Sequence, residues 1–141
     1  MEKWLRPIVL VGIFLTFGVV MKDNWTAKAQ SRRVFELRTY TAAGGKLPRL
    51  LARFRDHTML IFEKHGMSNV GYWVPQDTPG SENTLIYIIS HNSREAADAN
   101  WSAFDEDPEW QRVEKASQVD GLLITNIESV FMESTDFSPI K

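Results

Sequence analysis

Hydrophobic and polar positions divide the chain into an N-terminal apolar run and a longer part in which strand and helix patterns alternate. Four segments show the alternation and the β-forming residues typical of strands: residues 34–41, 70–74, 85–90 and 124–133. Helical spacing covers residues 46–65. A further helix is predicted from Ser93, an N-cap residue, through Phe104, and another from Asp107 to about Gln118. The residues between strands two and three, 75–83, are predicted to form a turn.

This order, β-α-β-β-α-β, predicts an α+β domain of the ferredoxin-like kind. Two right-handed split crossovers give a four-stranded antiparallel sheet with the helices on one face. The third strand carries large apolar side chains on both faces, with Tyr87 and Ile89 on one and Ile86 and Ile88 on the other. An apolar sheet face is not left in water. We therefore expect a homodimer in which the two sheets face each other as a dimeric α/β barrel.

The N-terminal run has the features of a secretory leader. Lys3 and Arg6 precede an uncharged stretch, residues 7–21, and the small residues Ala27 and Ala29 follow a polar segment. The stretch is shorter than the roughly 20 residues of a membrane span. We predict a signal peptide over residues 1–29, cleaved after Ala29, and a secreted or periplasmic domain over residues 30–141. The alternative is an uncleaved N-terminal membrane anchor.

Composition excludes several functional classes. Hydrophobic residues make up 43% of the chain and charged residues 24%, as in globular domains. A net charge of −2 argues against a nucleic-acid-binding surface. The chain has no cysteine, and its three histidines lack metal-ligand spacing, so no metal site is expected. We predict no cofactor, and no membrane contact once the leader is removed.

Candidate chemistry lies on the first strand, where Glu36, Arg38 and Tyr40 alternate on one face. Phe35 and Leu37 are expected to pack under the helices, which would place the three polar residues inside the barrel. Buried charges need partners. Either Arg38 holds an anionic or carbonyl group while Glu36 or Tyr40 handles a proton, or a Glu36–Arg38 ion pair fixes the sheet or the dimer seam.

A histidine and a set of aromatic residues extend this hypothesis. His57 borders the apolar stripe of the first helix, where it is either a general base or a core-edge residue. The aromatic residues either line a cavity for a flat ligand or fill the core, and the register of strand two decides which of its aromatic residues meets the pocket. The predicted substrate-binding set is Arg38, Tyr40, Tyr72, Trp73, Tyr87 and Trp101.

Several short stretches, taken in order, resemble the NIPSNAP family over about residues 34–139. They are Phe35 to Tyr40, Phe62 to Met67, Val70 to Trp73, Trp101 with Phe104, Asp107 to Trp110, and Glu128 to Val130. The resemblance implies a dimeric α/β barrel. Related barrels include cofactor-free monooxygenases, isomerase-like and cyclase-like enzymes and haem-degrading enzymes, and the family itself implies no particular reaction.

Two functional hypotheses follow. In the first, the domain binds a small hydrophobic or carbonyl-bearing molecule in a barrel pocket, with or without cofactor-independent catalysis. In the second, it is a non-catalytic homodimeric interaction domain whose polar residues are structural. Haem binding is a weaker third hypothesis, because no histidine is clearly placed as an axial ligand.

Overall fold

The computed structural model describes residues 33–141, so the predicted leader, residues 1–29, lies outside the described part and stays a prediction. The strands are β1 Val34–Ala42, β2 Ser68–Trp73, β3 Thr84–His91 and β4 Ile124–Glu133. The helices are α1 Leu47–Arg53, α2 Met59–Lys64, α3 Gly80–Asn83, α4 Arg94–Asp105 and α5 Pro108–Ser117. None of these described helices has the length and apolar character needed to cross a membrane.

The four strands form one antiparallel sheet in the order β2-β3-β1-β4. This is the order that two split crossovers produce, and it confirms the predicted ferredoxin-like α+β fold. The central strand β1 places Arg38 opposite Tyr87 of β3 and Ser129 of β4. Side chains at these three positions therefore share one face of the sheet.

Local sequence signals explain where α4 and α5 begin. Ser93 precedes α4, and its Oγ accepts a hydrogen bond from the backbone N–H of Ala96 at 3.1 Å. Asp107 precedes α5, and its carboxylate accepts from the N–H of Glu109 at 2.7 Å. Both side chains satisfy a backbone donor that the first helical turn leaves free. Both predicted N-caps are confirmed.

The long helix predicted over residues 46–65 contains an irregularity that its periodicity does not reveal. A π-helical turn, Phe54–Thr58, joins α1 to α2. The Thr58 hydroxyl donates to the Arg53 carbonyl at 3.2 Å inside this turn. Arg53 and Phe54 are both buried, at 6% and 3% exposure. The predicted turn over residues 75–83 also differs slightly, because its last four residues form the short helix α3.

The hydrophobic core lies between the helices and one face of the sheet, which we call the inner face. Aromatic rings dominate it, with Phe62 5.0 Å from Phe104 and Phe54 5.1 Å from Tyr87 between ring centroids. Tyr87 is fully buried, and Trp110 is 9% exposed. Aromatic side chains thus fill much of the interior of this small domain.

One prediction about the faces of β1 is wrong. Glu36, Arg38 and Tyr40 lie on the inner face, where Glu36 contacts Trp101 of α4 and Tyr40 contacts Phe54. The expected residues, Phe35 and Leu37, lie on the opposite face. Glu36 and Arg38 pair with each other under the helices, which compensates for the burial of their charges.

The opposite, outer face of the sheet is predominantly apolar. Leu37 lies between Ile88 of β3 and Val130 of β4. Val130 is 54% exposed, and Trp73 on the same face is 51% exposed. At one end the C-terminal segment turns back over this face, where Ile140 and Phe35 line a small groove. This face therefore leaves apolar side chains open to solvent.

We expect Ser93→Ala to lower the free energy of unfolding by about 1 kcal/mol, because α4 loses its N-cap acceptor. Urea denaturation measures the change. Ser102→Ala is the matched control, since Ser102 is exposed within α4 and alanine favours helix there. Equal losses in the two variants would contradict the capping role.

Candidate functional site

A buried carboxylate organises the inner face. Glu36 is 1% exposed, and its side chain accepts four hydrogen bonds. The donors are Arg38 Nη1 at 3.0 Å, His91 Nε2 at 3.1 Å, Trp101 Nε1 at 2.7 Å and Ser129 Oγ at 2.6 Å. These donors come from three strands and one helix, so a single carboxylate connects β1, β3, β4 and α4.

These contacts keep Glu36 ionised. Burial alone raises the pKa of a carboxyl group. Here the hydrogen bonds from His91, Ser129 and Trp101, together with the charge of Arg38, outweigh burial and lower the pKa of Glu36 to about 2. A carboxylate with this pKa and four donors is a poor proton acceptor at neutral pH. Glu36 therefore acts as an anchor for its donors.

Arg38 is held from two sides. Its guanidinium pairs with Glu36, and its Cζ lies 4.2 Å from the centroid of the Trp101 ring and 5.5 Å from that of Tyr40. Burial lowers the pKa of Arg38, but the neighbouring Tyr40, Tyr87 and Glu36 outweigh it and raise that pKa. Arg38 is thus a fixed cation whose buried Nε donor has no acceptor among the described residues.

A cleft of about 430 Å³ opens beside Arg38, between the inner face of the sheet and helices α4 and α5. Its lining combines aromatic rings with two arginines and carboxylates. The lining residues are Arg38, Tyr40, Arg53, Trp101, Phe104, Asp105, Trp110, Glu114, Ile124 and Ile127. Small-molecule sites have this combination of apolar walls and a few polar groups.

The second arginine of the cleft, Arg53, was not predicted from the sequence. Its Nη1 donates to Ser117 Oγ at 3.1 Å, and its Cζ lies 5.0 Å from the Trp110 ring centroid. Within residues 33–141, no carboxylate lies within ion-pair distance of it, and its buried Nε has no partner. Burial lowers the pKa of Arg53, although Tyr40, Glu114 and Tyr87 oppose that shift. In the sequence, Arg53 lies three residues after Leu50 and therefore inside the apolar stripe of the helix. This spacing could have indicated that Arg53 is buried.

The tertiary structure brings only part of the predicted set together. Arg38, Tyr40 and Trp101 line the cleft. Tyr72 and Tyr87 also lie on the inner face, stacked with their ring centroids 5.4 Å apart, but they belong to the core beneath the cleft. Burial raises the pKa of both hydroxyl groups.

Trp73 and His57 lie elsewhere. Trp73 lies on the outer face, because β2 pairs Trp73 with Ile86 and Tyr72 with Tyr87. His57 is exposed and lines a separate depression with Arg49 and Arg112. A general-base role for His57 toward a ligand bound beside Arg38 has no geometric support.

Two residues of the Glu36 network, His91 and Ser129, were also missing from the predicted site. His91 ends β3 and is 1% exposed, with Nε2 bonded to Glu36 and Nδ1 3.3 Å from the amide nitrogen of Asn100. His91 follows Ile89 and Tyr87 at the two-residue spacing of a strand, so alternation places all three on the inner face. This spacing could have indicated that His91 is buried. No cluster of His, Asp or Glu side chains suited to a metal ion occurs in residues 33–141.

The strand order and the cleft under the helices define a ferredoxin-like α+β domain with a pocket between its sheet and helices. The sequence matches the NIPSNAP family over residues 35–139, and the chain belongs to that family. Among curated proteins, none has a matching sequence. The resemblance predicted from the short motifs is thus confirmed over most of the chain.

Solved structures agree on the fold. A NIPSNAP family protein of unknown function from Agrobacterium tumefaciens is 25% identical and has a TM-score of 0.67, with 79% of this chain and 96% of that chain covered. A monooxygenase from Streptomyces coelicolor, solved with the ligand nanaomycin D, is 16% identical (TM-score 0.53, covering 74% and 89%). SnoaB, a cofactor-independent oxygenase from Streptomyces nogalater, is 15% identical (TM-score 0.50, covering 77% and 98%). The two oxygenases share the fold with this chain.

We expect Glu36→Gln to lower the free energy of unfolding by about 3 kcal/mol at neutral pH, because it leaves Arg38 buried without its partner. The wild type should also lose stability as the pH falls from about 4.5 towards 2, since the lowered pKa of Glu36 means that protonation favours the unfolded state. Glu36→Gln should lack the part of this acid-dependent loss of stability that comes from protonation of Glu36. Denaturant unfolding at a series of pH values measures both effects.

Glu106→Gln is the matched control, because Glu106 is exposed at the C-terminal end of α4 and lies outside the sheet. It should keep the acid dependence of the wild type. If the curves for Glu36→Gln and wild type run parallel between pH 4.5 and 2, Glu36 is not the ionised anchor of the site.

Proposed function

We propose that this NIPSNAP domain binds a small, flat molecule with a carbonyl or anionic oxygen in the cleft beside Arg38. The observation that carries the proposal is the unpartnered Nε of a guanidinium that is otherwise fixed between Glu36 and Trp101. A buried donor without an acceptor is unfavourable. A ligand oxygen would satisfy it.

The way Arg38 is held supports this role. A free arginine loses side-chain entropy when it binds a ligand, whereas Arg38 is already ordered by its carboxylate and by ring stacking. Its side chain is 15% exposed and lines the cleft, whereas the Nε atom itself is buried. A ligand oxygen would reach Nε after a shift of the rings that cover the guanidinium, while the ion pair with Glu36 holds its Nη1 end in place.

The aromatic walls favour a flat ligand. Trp101, Phe104 and Trp110 line the cleft, and rings of this kind stack on planar molecules. Arg38 next to a ligand carbonyl would withdraw electron density from it and make an adjacent C–H group more acidic. Glu36 has no part in proton transfer in this proposal, because its pKa of about 2 and its four donors leave it a positioning residue.

A thermal-shift and native mass-spectrometry screen of flat aromatic ketones and carboxylates, including 2-acetylnaphthalene and 2-naphthoate, tests the proposal. We expect compounds of this class to raise the Tm of the wild type and to be seen bound at one per chain. Arg38→Gln should abolish both signals for 2-acetylnaphthalene, because the single oxygen of that ligand loses its donor.

Arg112→Gln is the charge-matched control, since Arg112 is exposed on α5 and does not line this cleft. It should behave as wild type. A screen without a single bound compound, with protein purified from its own cells also free of any added mass, would refute the proposal and leave the interaction-domain hypothesis.

We also propose that a second copy of the chain covers the outer face, because Leu37, Ile88 and Val130 form an apolar surface there that is otherwise open to solvent. A two-fold axis would place this surface against itself. The ligand cleft lies on the other face of the sheet, so pairing through the outer face leaves the cleft accessible. The domain could thus be both a dimer and a ligand-binding protein.

We expect residues 30–141 to sediment as a dimer in analytical ultracentrifugation and Val130→Arg to sediment as a monomer, because a charge buried in the interface is strongly unfavourable. Val119→Arg is the control, since Val119 is 80% exposed outside the sheet. A wild type that is monomeric at micromolar concentration would contradict the proposed pairing.

A further inference from the structure

The two arginines of the cleft stand at the ends of one continuous row of aromatic rings. The Arg38 Cζ lies 4.2 Å from the Trp101 centroid, and Trp101 is 5.5 Å from Phe104. Phe104 is 4.4 Å from Trp110, and the Arg53 Cζ lies 5.0 Å from Trp110. The row places a guanidinium at each end of an aromatic wall.

The charges at the two ends are not equivalent. Arg38 forms an ion pair with Glu36 at 3.0 Å, so its end of the row is close to neutral as a unit. Arg53 is 6% exposed and has a hydroxyl, that of Ser117, as its hydrogen-bond acceptor. A buried cation without an anion is unfavourable. The Arg53 end therefore carries one positive charge that the described residues do not neutralise at ion-pair distance.

Glu114 is the protein group that could compete for this position. It lines the same cleft from α5 and is exposed to solvent. It does not form a salt bridge with Arg53. Its carboxylate stabilises the charge of Arg53 from a distance and would repel an incoming anion.

Resting on the function proposed above, we infer that the ligand is a flat monoanion whose carboxylate binds Arg53 and whose aromatic body lies along the row of rings. A neutral oxygen at its other end would accept from Arg38. One uncompensated charge calls for a monoanion, and the planar guanidinium matches the two oxygens of a carboxylate. This assigns a role to Arg53 that is separate from that of Arg38.

Isothermal titration calorimetry with 2-naphthoate and 2-naphthamide tests the inference, because the two molecules have nearly the same size and differ in charge. We expect the wild type to bind 2-naphthoate about tenfold or more tightly than 2-naphthamide. Arg53→Gln should remove this difference while leaving the Kd of 2-naphthamide within about twofold of the wild-type value. Arg53→Lys should restore part of the preference.

Two further variants keep the test independent of any folding defect in Arg53→Gln. Glu114→Gln should tighten 2-naphthoate binding by about twofold to threefold and leave 2-naphthamide unchanged, because a repelling carboxylate is removed. Arg112→Gln should keep the wild-type preference, which separates the effect of Arg53 from the net charge of the protein.

The outcomes separate this inference from the proposed function. If both compounds bind with the same Kd, or if Arg53→Gln weakens both equally, charge recognition by Arg53 is refuted while binding at Arg38 stands. If the wild type binds neither compound and the wider screen is also negative, the proposed function falls together with the inference.

Discussion

The hydrogen-bonded carboxylate of Glu36 is the interaction on which the inner face depends. A buried carboxylate is stable only when its oxygens are satisfied, and Glu36 meets this condition with donors from Arg38, His91, Trp101 and Ser129. The donors lie 2 to 93 residues away along the chain. The network thus ties the central strand to both of its neighbours and to α4, and a shift of any one of these elements would cost the buried carboxylate a hydrogen bond.

The candidate site follows from that constraint. Because Glu36 and Trp101 together fix Arg38, the guanidinium sits at the edge of a cleft instead of moving freely in solvent. The same helix that supplies Trp101 also supplies Phe104, and α5 adds Trp110, so the wall of the cleft and the core are one structure. This explains why the alternative interpretations of the aromatic residues, core or cavity lining, both hold for this cluster.

The sheet also separates two surfaces, because successive side chains along a strand point to opposite faces. On β1, Arg38 belongs to the cleft while its neighbour Leu37 belongs to the open apolar face. On β2, Tyr72 enters the core and Trp73 faces outward. The proposed ligand binding and the proposed self-association should therefore be separable by mutation, because substitutions at adjacent positions act on opposite faces.

The sequence by itself determined the order of the elements, the N-caps Ser93 and Asp107, the four-stranded antiparallel sheet and the family, because periodicity, capping and short motifs can be read along the chain. It also predicted that Glu36, Arg38 and Tyr40 share a face. Only the tertiary structure decided that this face lies under the helices, that His91 and Arg53 join the site, and that His57 and Trp73 do not. The alternation of side chains along a strand shows which residues share a face, but it does not show which face lies under the helices. That choice depends on contacts with residues distant in sequence, such as Trp101.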